Sequence, residues 1–347
     1  MNFDEVFTLT NLYKCGYGSC SGVRWKSSTQ NYECQLMRNV CNLKYALDNN
    51  DYKSKGFHYF YKRERGKERY ISSVHISERT VQKCLCDYCL LPIFTPKFIY
   101  DNAACLKGKG LHFAIRRLKT HLHRYYLENN TNDGYILLFD VKNFFGSIDH
   151  ELLTEMVSKH IEDKRLLKLY KYFIDCFNGS TGIGLGSQVS QVSASIYMNG
   201  FDHYFKDVLG VKYFARYMDD GYIISQSKEH LEKLRLEIIE KLELIKLKPN
   251  LNKTQIYKLK DGFTYLKRKI TLYSNGKVVT KPYKKNIQRY KRKVRKLLKK
   301  KVCIAKLVVL NSTFVGYLKE FNYYDRYTRT IKGADELCLN LNKKSQI

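Results

Sequence analysis

Tyr217-Met218-Asp219-Asp220 lies between two short apolar runs, Val211 to Ala215 and Tyr222 to Ile224. Two β-rich runs around the tight polar turn Asp219-Asp220-Gly221 predict a hairpin that holds two adjacent carboxylates at its tip. Adjacent aspartates repel each other, and a divalent cation is the usual way to stabilise them, because hard carboxylate oxygens suit Mg²⁺. The hairpin therefore predicts part of a metal site.

A third carboxylate is expected on a neighbouring strand. The run Tyr135-Ile136-Leu137-Leu138-Phe139-Asp140 fits a buried strand that delivers Asp140 at its C-terminal end. Asp140, Asp219 and Asp220 are therefore the candidate metal-binding set.

Further motifs accompany these aspartates in a fixed order. Asp140 to Phe145 is a DxxxxF motif, Gly186 to Gln191 is a GxxxSQ stretch, and Asn252-Lys253-Thr254 follows the double aspartate. A lone Tyr-x-Asp-Asp is common by chance, whereas the ordered set is specific. On these motifs, the chain from about residue 60 to about residue 325 resembles a reverse transcriptase.

The resemblance implies an α+β fold of the right-hand polymerase type, with an antiparallel palm sheet and a helical thumb. We expect an N-terminal extension over residues 1–55, fingers over 56–134, a palm with finger insertions over 135–275, a basic thumb over 276–335 and a tail over 336–347. The interval from Lys281 to Lys306 supports the thumb, because it is rich in Lys and Arg and contains no acid. The N-terminal extension either packs on the fingers or binds RNA.

The resemblance also assigns chemistry to named residues. Asp140, Asp219 and Asp220 are expected to be catalytic, and Val141 joins them in the metal-binding set. The implied cofactor is two Mg²⁺ ions, with Mn²⁺ as the alternative. Lys253 is expected near the leaving pyrophosphate, as a proton donor or a phosphate ligand.

Residues that contact the incoming nucleotide are expected in several segments. By resemblance they are Arg69, Arg79, Phe145, Leu185, Gly186, Gln191 and Met218. Arg69 belongs to a predicted hairpin, with strands at Phe57 to Phe60 and Tyr70 to Ile76, whose cations would match the triphosphate. Phe145 is expected to be a steric gate that disfavours ribonucleotides by clashing with the 2′-hydroxyl.

The glycine-rich motif departs from the common family pattern Gln-Gly-x-x-x-Ser-Pro. Leu185 stands where glutamine is usual, and Gln191 stands where proline is usual. The same two departures mark the reverse transcriptases of diversity-generating retroelements. An aliphatic side chain in place of a polar one near the nucleotide should weaken discrimination between nucleotides, so reduced fidelity is a hypothesis.

Composition points to a polyanionic partner. The 347 residues include 62 Lys+Arg against 33 Asp+Glu, a formal net charge of +29. This excess predicts strongly salt-dependent binding of nucleic acid, and the 29 tyrosines suit stacking on unpaired bases. We expect a cytoplasmic protein with reduced cysteines and no membrane partner, because no secretory signal or membrane-length apolar run is visible.

The expected reaction is RNA-directed DNA synthesis from deoxynucleotides, with template RNA and cDNA product as partners. One role is a bacterial antiphage reverse transcriptase that copies a dedicated noncoding RNA. The alternative is an error-prone enzyme of a diversity-generating retroelement, which would need an accessory protein. A homo-oligomer is a further expectation, and a catalytically silent RNA-binding scaffold is the rival from another class.

Overall fold

A computed structural model describes residues 1–64, 67–299, 304–319, 321 and 332 of the chain. The chain forms two compact units. The first comprises Met1–Ala114, Phe139–Tyr222 and Lys233–Thr254, and the second comprises Ile115–Leu138, Ile223–Glu232 and the described residues from Gln255 onward. Every site residue predicted from the sequence belongs to the first unit.

The N-terminal segment is helical. Its helices are α1 Phe3–Val6, α2 Leu9–Cys20, α3 Ser27–Cys34 and α4 Leu36–Asp48. A capping box starts α1, because the Asn2 side chain accepts from the Glu5 amide and the Glu5 carboxylate accepts from the Asn2 amide. Gly16 permits close packing of α2, since a Cβ there would lie 2.9 Å from Leu36 Cδ1.

A long β-hairpin and a bent helix follow. The hairpin consists of β1 Phe57–Glu64 and β2 Lys67–Val74, paired antiparallel with Tyr61 opposite Tyr70. Its strands are longer than predicted, and residues 65 and 66 lie outside the described chain.

The bent helix begins as α5 Ile76–Leu85, passes through a π-helical turn at Cys86–Leu90 and continues as α6 Leu91–Phe94. The N-terminal helices pack on it. The Tyr32 hydroxyl lies 3.1 Å from the Thr80 hydroxyl, and the Cys84 thiol donates to the Val6 carbonyl. Residues 1–50 therefore pack on a part of the chain that was predicted to form the fingers.

The central elements are helices and the four strands of one sheet. In chain order they are α7 Leu111–Asn129, β3 Tyr135–Asp140, α8 Phe144–Ser147, α9 His150–Ser158, α10 Lys164–Asp175, α11 Gln188–Tyr197, α12 Asn199–His203, β4 Phe214–Tyr217, β5 Asp220–Ser225, α13 Lys228–Leu244 and β6 Gln255–Lys258. The sheet order is β4-β5-β3-β6, with β3 antiparallel to β6. The predicted β3 strand is confirmed residue for residue.

The remaining elements belong to the second unit. A three-stranded antiparallel sheet runs in the order β7 Phe263–Tyr265, β8 Arg268–Leu272 and β9 Val278–Pro282. Helices α14 Lys284–Lys299 and α15 Ile304–Leu318 follow, and Tyr290 and Val294 of α14 pack in a cluster with Phe314 and Leu318 of α15. Most of the predicted end of the thumb and the whole predicted tail lie outside the described residues. Within the described ranges, no helix is both long and apolar enough to cross a membrane.

Candidate active site

Asp140 lies at the C-terminal end of β3, and two side chains bind its carboxylate. The Asp140 side chain is buried, like the apolar residues that precede it in the strand. Lys253 Nζ donates to Asp140 Oδ1 at 2.5 Å, and Asn250 Nδ2 donates to Oδ2 at 2.9 Å. The Asn250 amide also donates to the Asp140 carbonyl at 2.7 Å, so the segment that carries Lys253 is fixed to the end of this strand.

Asp219 and Asp220 follow the strand β4, but the turn differs from the prediction. β4 ends at Tyr217 and β5 begins at Asp220, so Met218 and Asp219 form the turn while Asp220 and Gly221 lie in a strand. Met218 adopts a left-handed conformation with φ 55°. The predicted turn at Asp219-Asp220-Gly221 is therefore wrong for Asp220 and Gly221, although the two carboxylates still lie at the end of the hairpin.

Gly221 serves close packing rather than the turn. A Cβ on Gly221 would lie 2.1 Å from the ring of Phe139, the residue before Asp140. Only glycine therefore allows β5 to lie this close to the Phe139 ring. The Val141 amide donates to the Asp219 carbonyl at 3.2 Å, which joins the turn to the end of β3.

The carboxylates of Asp140, Asp219 and Asp220 interact electrostatically. Burial raises the pKa of Asp220 to about 7, and the charges of Asp219 and Asp140 add to this effect. Burial and the charge of Asp140 also raise the pKa of Asp219, whereas Lys253 and Arg69 oppose that rise. Burial alone would lower the pKa of Lys253, but its hydrogen bond to Asp140 and the three carboxylates raise it overall. The site therefore concentrates negative charge that Lys253 and Arg69 offset only in part.

A buried ion pair supports the turn at Met218 and Asp219. Arg216 and Asp202 are both fully buried, and the guanidinium binds both carboxylate oxygens, at 2.6 and 2.5 Å. The remaining guanidinium nitrogen, Nη1, donates to the Met218 carbonyl at 2.7 Å. Arg216 therefore fixes Met218, the residue with a left-handed backbone that directly precedes Asp219 and Asp220. Sequence reasoning missed this residue, because an arginine beside an apolar run gives no sign that it is buried.

A neighbouring segment fixes the backbone of Arg216. The Arg216 amide donates to the Asp101 carbonyl at 3.2 Å, and the Ala103 amide donates to the Arg216 carbonyl at 2.9 Å. The Asp101 carboxylate is buried and pairs with Lys206 at 2.8 Å. The turn is thus anchored through both the side chain and the main chain of Arg216.

The glycine-rich loop lies against strand β2. The Ser72 amide donates to the Leu185 carbonyl at 2.9 Å. Gly186 has φ +123°, and a Cβ there would lie 2.8 Å from the Ser72 carbonyl oxygen, so both its conformation and its contact require glycine. Arg69 lies on the same strand and lowers the pKa of Asp219, so it is within electrostatic reach of that carboxylate. The nucleotide contacts of Leu185 and Gly186 stay predictions.

Three further residues predicted to contact the nucleotide lie on different helices of the first unit. Phe145 is partly exposed in α8, and its carbonyl accepts from the Ile183 amide at 2.8 Å, next to the glycine-rich loop. Gln191 is exposed on α11. Arg79 lies beside Cys20, where burial raises the pKa of the thiol and the charge of Arg79 opposes that rise. Arg79 is therefore placed against the N-terminal helices, and its nucleotide contact stays a prediction.

The donor set fits a hard divalent cation in its chemistry. Asp140, Asp219 and Asp220 supply carboxylate oxygens, the ligands that Mg²⁺ prefers. Within the described ranges, however, no three His, Cys, Asp or Glu side chains are arranged so that they could hold a metal ion as they stand. Asp140 instead pairs with Lys253 and Asn250. Binding a metal would require these carboxylates to exchange partners.

A comparison with protein families decides the class of this chain. Residues 60–270 match the model of a family described as reverse transcriptase (RNA-dependent DNA polymerase). The chain belongs to this family. This reverse transcriptase carries Asp140, Asp219 and Asp220 within the matched segment, and the resemblance inferred from its motifs is confirmed.

The individual proteins that this chain resembles share a low sequence identity with it. The protein is 24% identical to Protein YkfC of Escherichia coli strain K12, over 63% of this chain and 68% of that protein. Among solved structures, apo telomerase from Candida tropicalis matches with a TM-score of 0.50 and 13% identity, over 65% of this chain. The reverse transcriptase spans about half of that telomerase chain, 48% of its length. The likeness concerns the fold alone, and the predicted α+β polymerase fold is confirmed.

Replacing Asp220 by Asn should change how stability depends on pH. The pKa of Asp220 is raised from 3.8 to about 7 in the folded protein, so the folded state binds more protons than the unfolded state between these values, and its stability falls as the pH rises through them. Asn does not titrate. In the absence of divalent ions, Asp220→Asn should therefore melt at a higher temperature than the unsubstituted protein above pH 7, and this difference should shrink toward pH 4.

Asp149→Asn is the matched control, with the opposite sign. The backbone amide of Leu152 and then Lys246 lower the pKa of Asp149, the N-cap of α9. That carboxylate therefore stabilises the fold above its unfolded pKa and loses this effect as the pH falls. Asp149→Asn should melt at a lower temperature near neutral pH, and an equal response of both variants to pH would contradict the electrostatic account.

Breaking the buried ion pair should separate stability from activity. Arg216→Met leaves Asp202 buried without a partner and should destabilise the fold by about 3–5 kcal/mol in urea unfolding. The double variant Arg216→Met/Asp202→Leu removes the stranded charge and should recover most of that stability. Polymerisation should stay low in both, because neither donates to the Met218 carbonyl. Full activity of a stable double variant would show that Arg216 does not position the turn.

Proposed function

We propose that this protein is an RNA-directed DNA polymerase that copies an RNA template into cDNA by nucleotidyl transfer. The observation that carries the proposal is the electrostatic coupling of Asp140, Asp219 and Asp220, three carboxylates of a matched reverse transcriptase segment. Concentrating repelling carboxylates at one place costs stability, and a metal-dependent reaction explains why the chain keeps them together.

We assign the metal-holding role to Asp140, Val141, Asp219 and Asp220. Bound Mg²⁺ would lower the pKa of the primer 3′-hydroxyl and stabilise charge on the leaving pyrophosphate. Lys253, whose ammonium group now binds Asp140 Oδ1, would have to leave this carboxylate and become available to the pyrophosphate. Lys253 is half exposed, so its side chain has room to move.

Other residues of the first unit would select and orient the nucleotide. Arg69 carries a positive charge within electrostatic reach of Asp219, which suits a triphosphate held near the metals. The partly exposed Phe145 ring would disfavour a ribose 2′-hydroxyl by clash. Leu185 has an apolar side chain and Gly186 has none, so their side chains would contribute shape rather than hydrogen bonds.

The template that we propose is a dedicated noncoding RNA, and the role is bacterial antiphage defence. The net charge of +29 supports tight binding of a polyanion. The alternative role is mutagenic synthesis in a diversity-generating retroelement, with an accessory protein, and the specific observation that favours it is the pair Leu185 and Gln191. The genes next to this one separate the two roles, because a variable target with a near-copy repeat supports diversification.

The central experiment is DNA synthesis by the purified protein on its co-purifying RNA with Mg²⁺ and labelled deoxynucleotides. Asp219→Asn/Asp220→Asn should lower product formation by several orders of magnitude, because it removes charge that the metals need. RNA binding by the same variant should survive, since it removes no basic residue. Product from the unsubstituted protein that persists in the variant would contradict the assignment. Tight RNA binding without product under any priming condition would favour the scaffold role.

Leu185→Gln tests whether the altered motif lowers fidelity. An amide at this position restores a polar group beside the nucleotide, so the misincorporation rate should fall when the cDNA is sequenced. Leu185→Met is the matched control, because it keeps an apolar side chain of similar volume and should leave the rate unchanged. An error rate that is the same in all three proteins would reject the hypothesis.

A further inference from the structure

The second unit contains a cavity that none of the predicted site residues lines. Its volume is about 490 Å³, and it lies between α7 and the turn that joins β8 to β9. The lining residues are Lys119, His123, Tyr126 and Leu127 of the helix and Asn275, Gly276, Lys277 and Val278 of the turn and the start of β9. The cavity is thus built by one helix and one β-turn, and the described residues that line it include no acid.

Specific contacts hold the wall of this cavity in place. The Tyr126 hydroxyl donates to the Ser274 carbonyl at 2.8 Å. Gly276 has φ +75°, and a Cβ there would lie 2.6 Å from the Tyr126 ring, so the turn sits directly against the aromatic side chain. Within the turn, the Tyr273 amide donates to the Lys277 carbonyl and the Gly276 amide to the Tyr273 carbonyl, both at 3.0 Å. A preformed wall lowers the entropic cost of binding.

The charged residues of the lining are cationic. Lys119 and Lys277 carry ammonium groups, and His123 adds a third donor. Lys119 is partly buried, and burial lowers its pKa, with the nearby charge of Arg268 acting in the same direction. Cations gathered along a described lining that has no acid repel one another, and a bound anion would relieve that repulsion.

The remainder of the lining carries no charge. Tyr126, Leu127 and Val278 give a surface suited to a flat ring, and Asn275 can hydrogen-bond a base edge. The volume lies in the range of about 300–1,000 Å³ that small-molecule sites occupy. Phosphate-binding cations beside an aromatic wall match a nucleotide that is unpaired, because a paired base cannot turn into a cavity.

We propose that this cavity binds one unpaired nucleotide of an RNA strand, with the phosphate between Lys119 and Lys277 and the base against Tyr126 and Leu127. The inference rests on the proposed function in that it takes the strand to be the RNA that the polymerase holds. It adds an anchoring site for that RNA outside the catalytic residues.

The test is RNA binding by the full chain, measured by anisotropy of a labelled oligouridylate over a series of salt concentrations. Lys119→Gln/Lys277→Gln should weaken binding about tenfold and reduce the slope of log Kd against log salt by about 0.7, because one phosphate of the strand is no longer neutralised. Lys159→Gln/Lys171→Gln is the matched control, because it removes the same charge from exposed positions at the end of α9 and on α10 and should preserve the slope.

A substitution in the apolar part of the lining and a crosslinking measurement test the same site independently of the lysines. Leu127→Glu changes an exposed side chain and should weaken binding without disturbing the fold. Photocrosslinking of the unsubstituted protein to RNA that contains 4-thiouridine should label the Tyr126 region. Unchanged slopes with no label there would overturn the proposal. Binding of free uridine monophosphate that is abolished in Lys119→Gln/Lys277→Gln, with RNA affinity unchanged, would overturn the assignment to a strand.

Failure here is distinguishable from failure of the polymerase proposal. Asp219→Asn/Asp220→Asn should keep the oligouridylate affinity and the crosslink, because the cavity contains neither aspartate. DNA synthesis by the unsubstituted protein without any effect of the cavity substitutions on RNA binding would reject this site alone. Loss of RNA binding in the cavity variants of a protein that makes no DNA would support this site and reject the polymerase.

Discussion

Mutual repulsion among Asp140, Asp219 and Asp220 is the constraint on which the first unit depends. Each carboxylate is partly or fully withdrawn from water, which raises the energy of the charged forms, and the pKa of Asp220 rises to about 7 as a result. Lys253 and Asn250 bind Asp140 directly, so the chain itself supplies some of the compensation. A cluster that costs stability in this way would suit a metal-dependent reaction, because the positive charge of a bound cation would offset the repulsion.

The geometry of these carboxylates depends on a second costly feature, the ion pair of Arg216 with Asp202. Burying two charges contributes little net stability compared with apolar residues of similar size. The ion pair instead serves to position the turn, because the same guanidinium donates to the carbonyl of Met218, whose backbone is in the left-handed conformation. Asp101 and Ala103 bind the Arg216 main chain, which makes the turn part of a wider network.

The sequence predicted the elements whose pattern is local. The apolar run from Tyr135 to Phe139, ended by Asp140, reads as a buried strand because nothing else in that pattern competes with it, and the observed bounds agree. The turn was misplaced because Gly221 is the residue that turn propensity favours. In the structure this glycine serves contact with Phe139. The turn lies at Met218 and Asp219 instead, where the Arg216 side chain, itself paired with Asp202, donates to the Met218 carbonyl. Contacts between distant residues, such as Arg216 with Asp202 and Asn250 with Asp140, leave no local signature.

The most direct measurement for the proposed metal-binding role of the three aspartates is Mn²⁺ binding followed by electron paramagnetic resonance. The unsubstituted protein should bind Mn²⁺ in competition with Mg²⁺, and Asp140→Asn, Asp219→Asn and Asp220→Asn should each weaken that binding. Lys253→Gln should strengthen it, because the ammonium group competes with the metal for Asp140 Oδ1. Mn²⁺ binding of equal strength in a protein that lacks all three carboxylates would contradict the account.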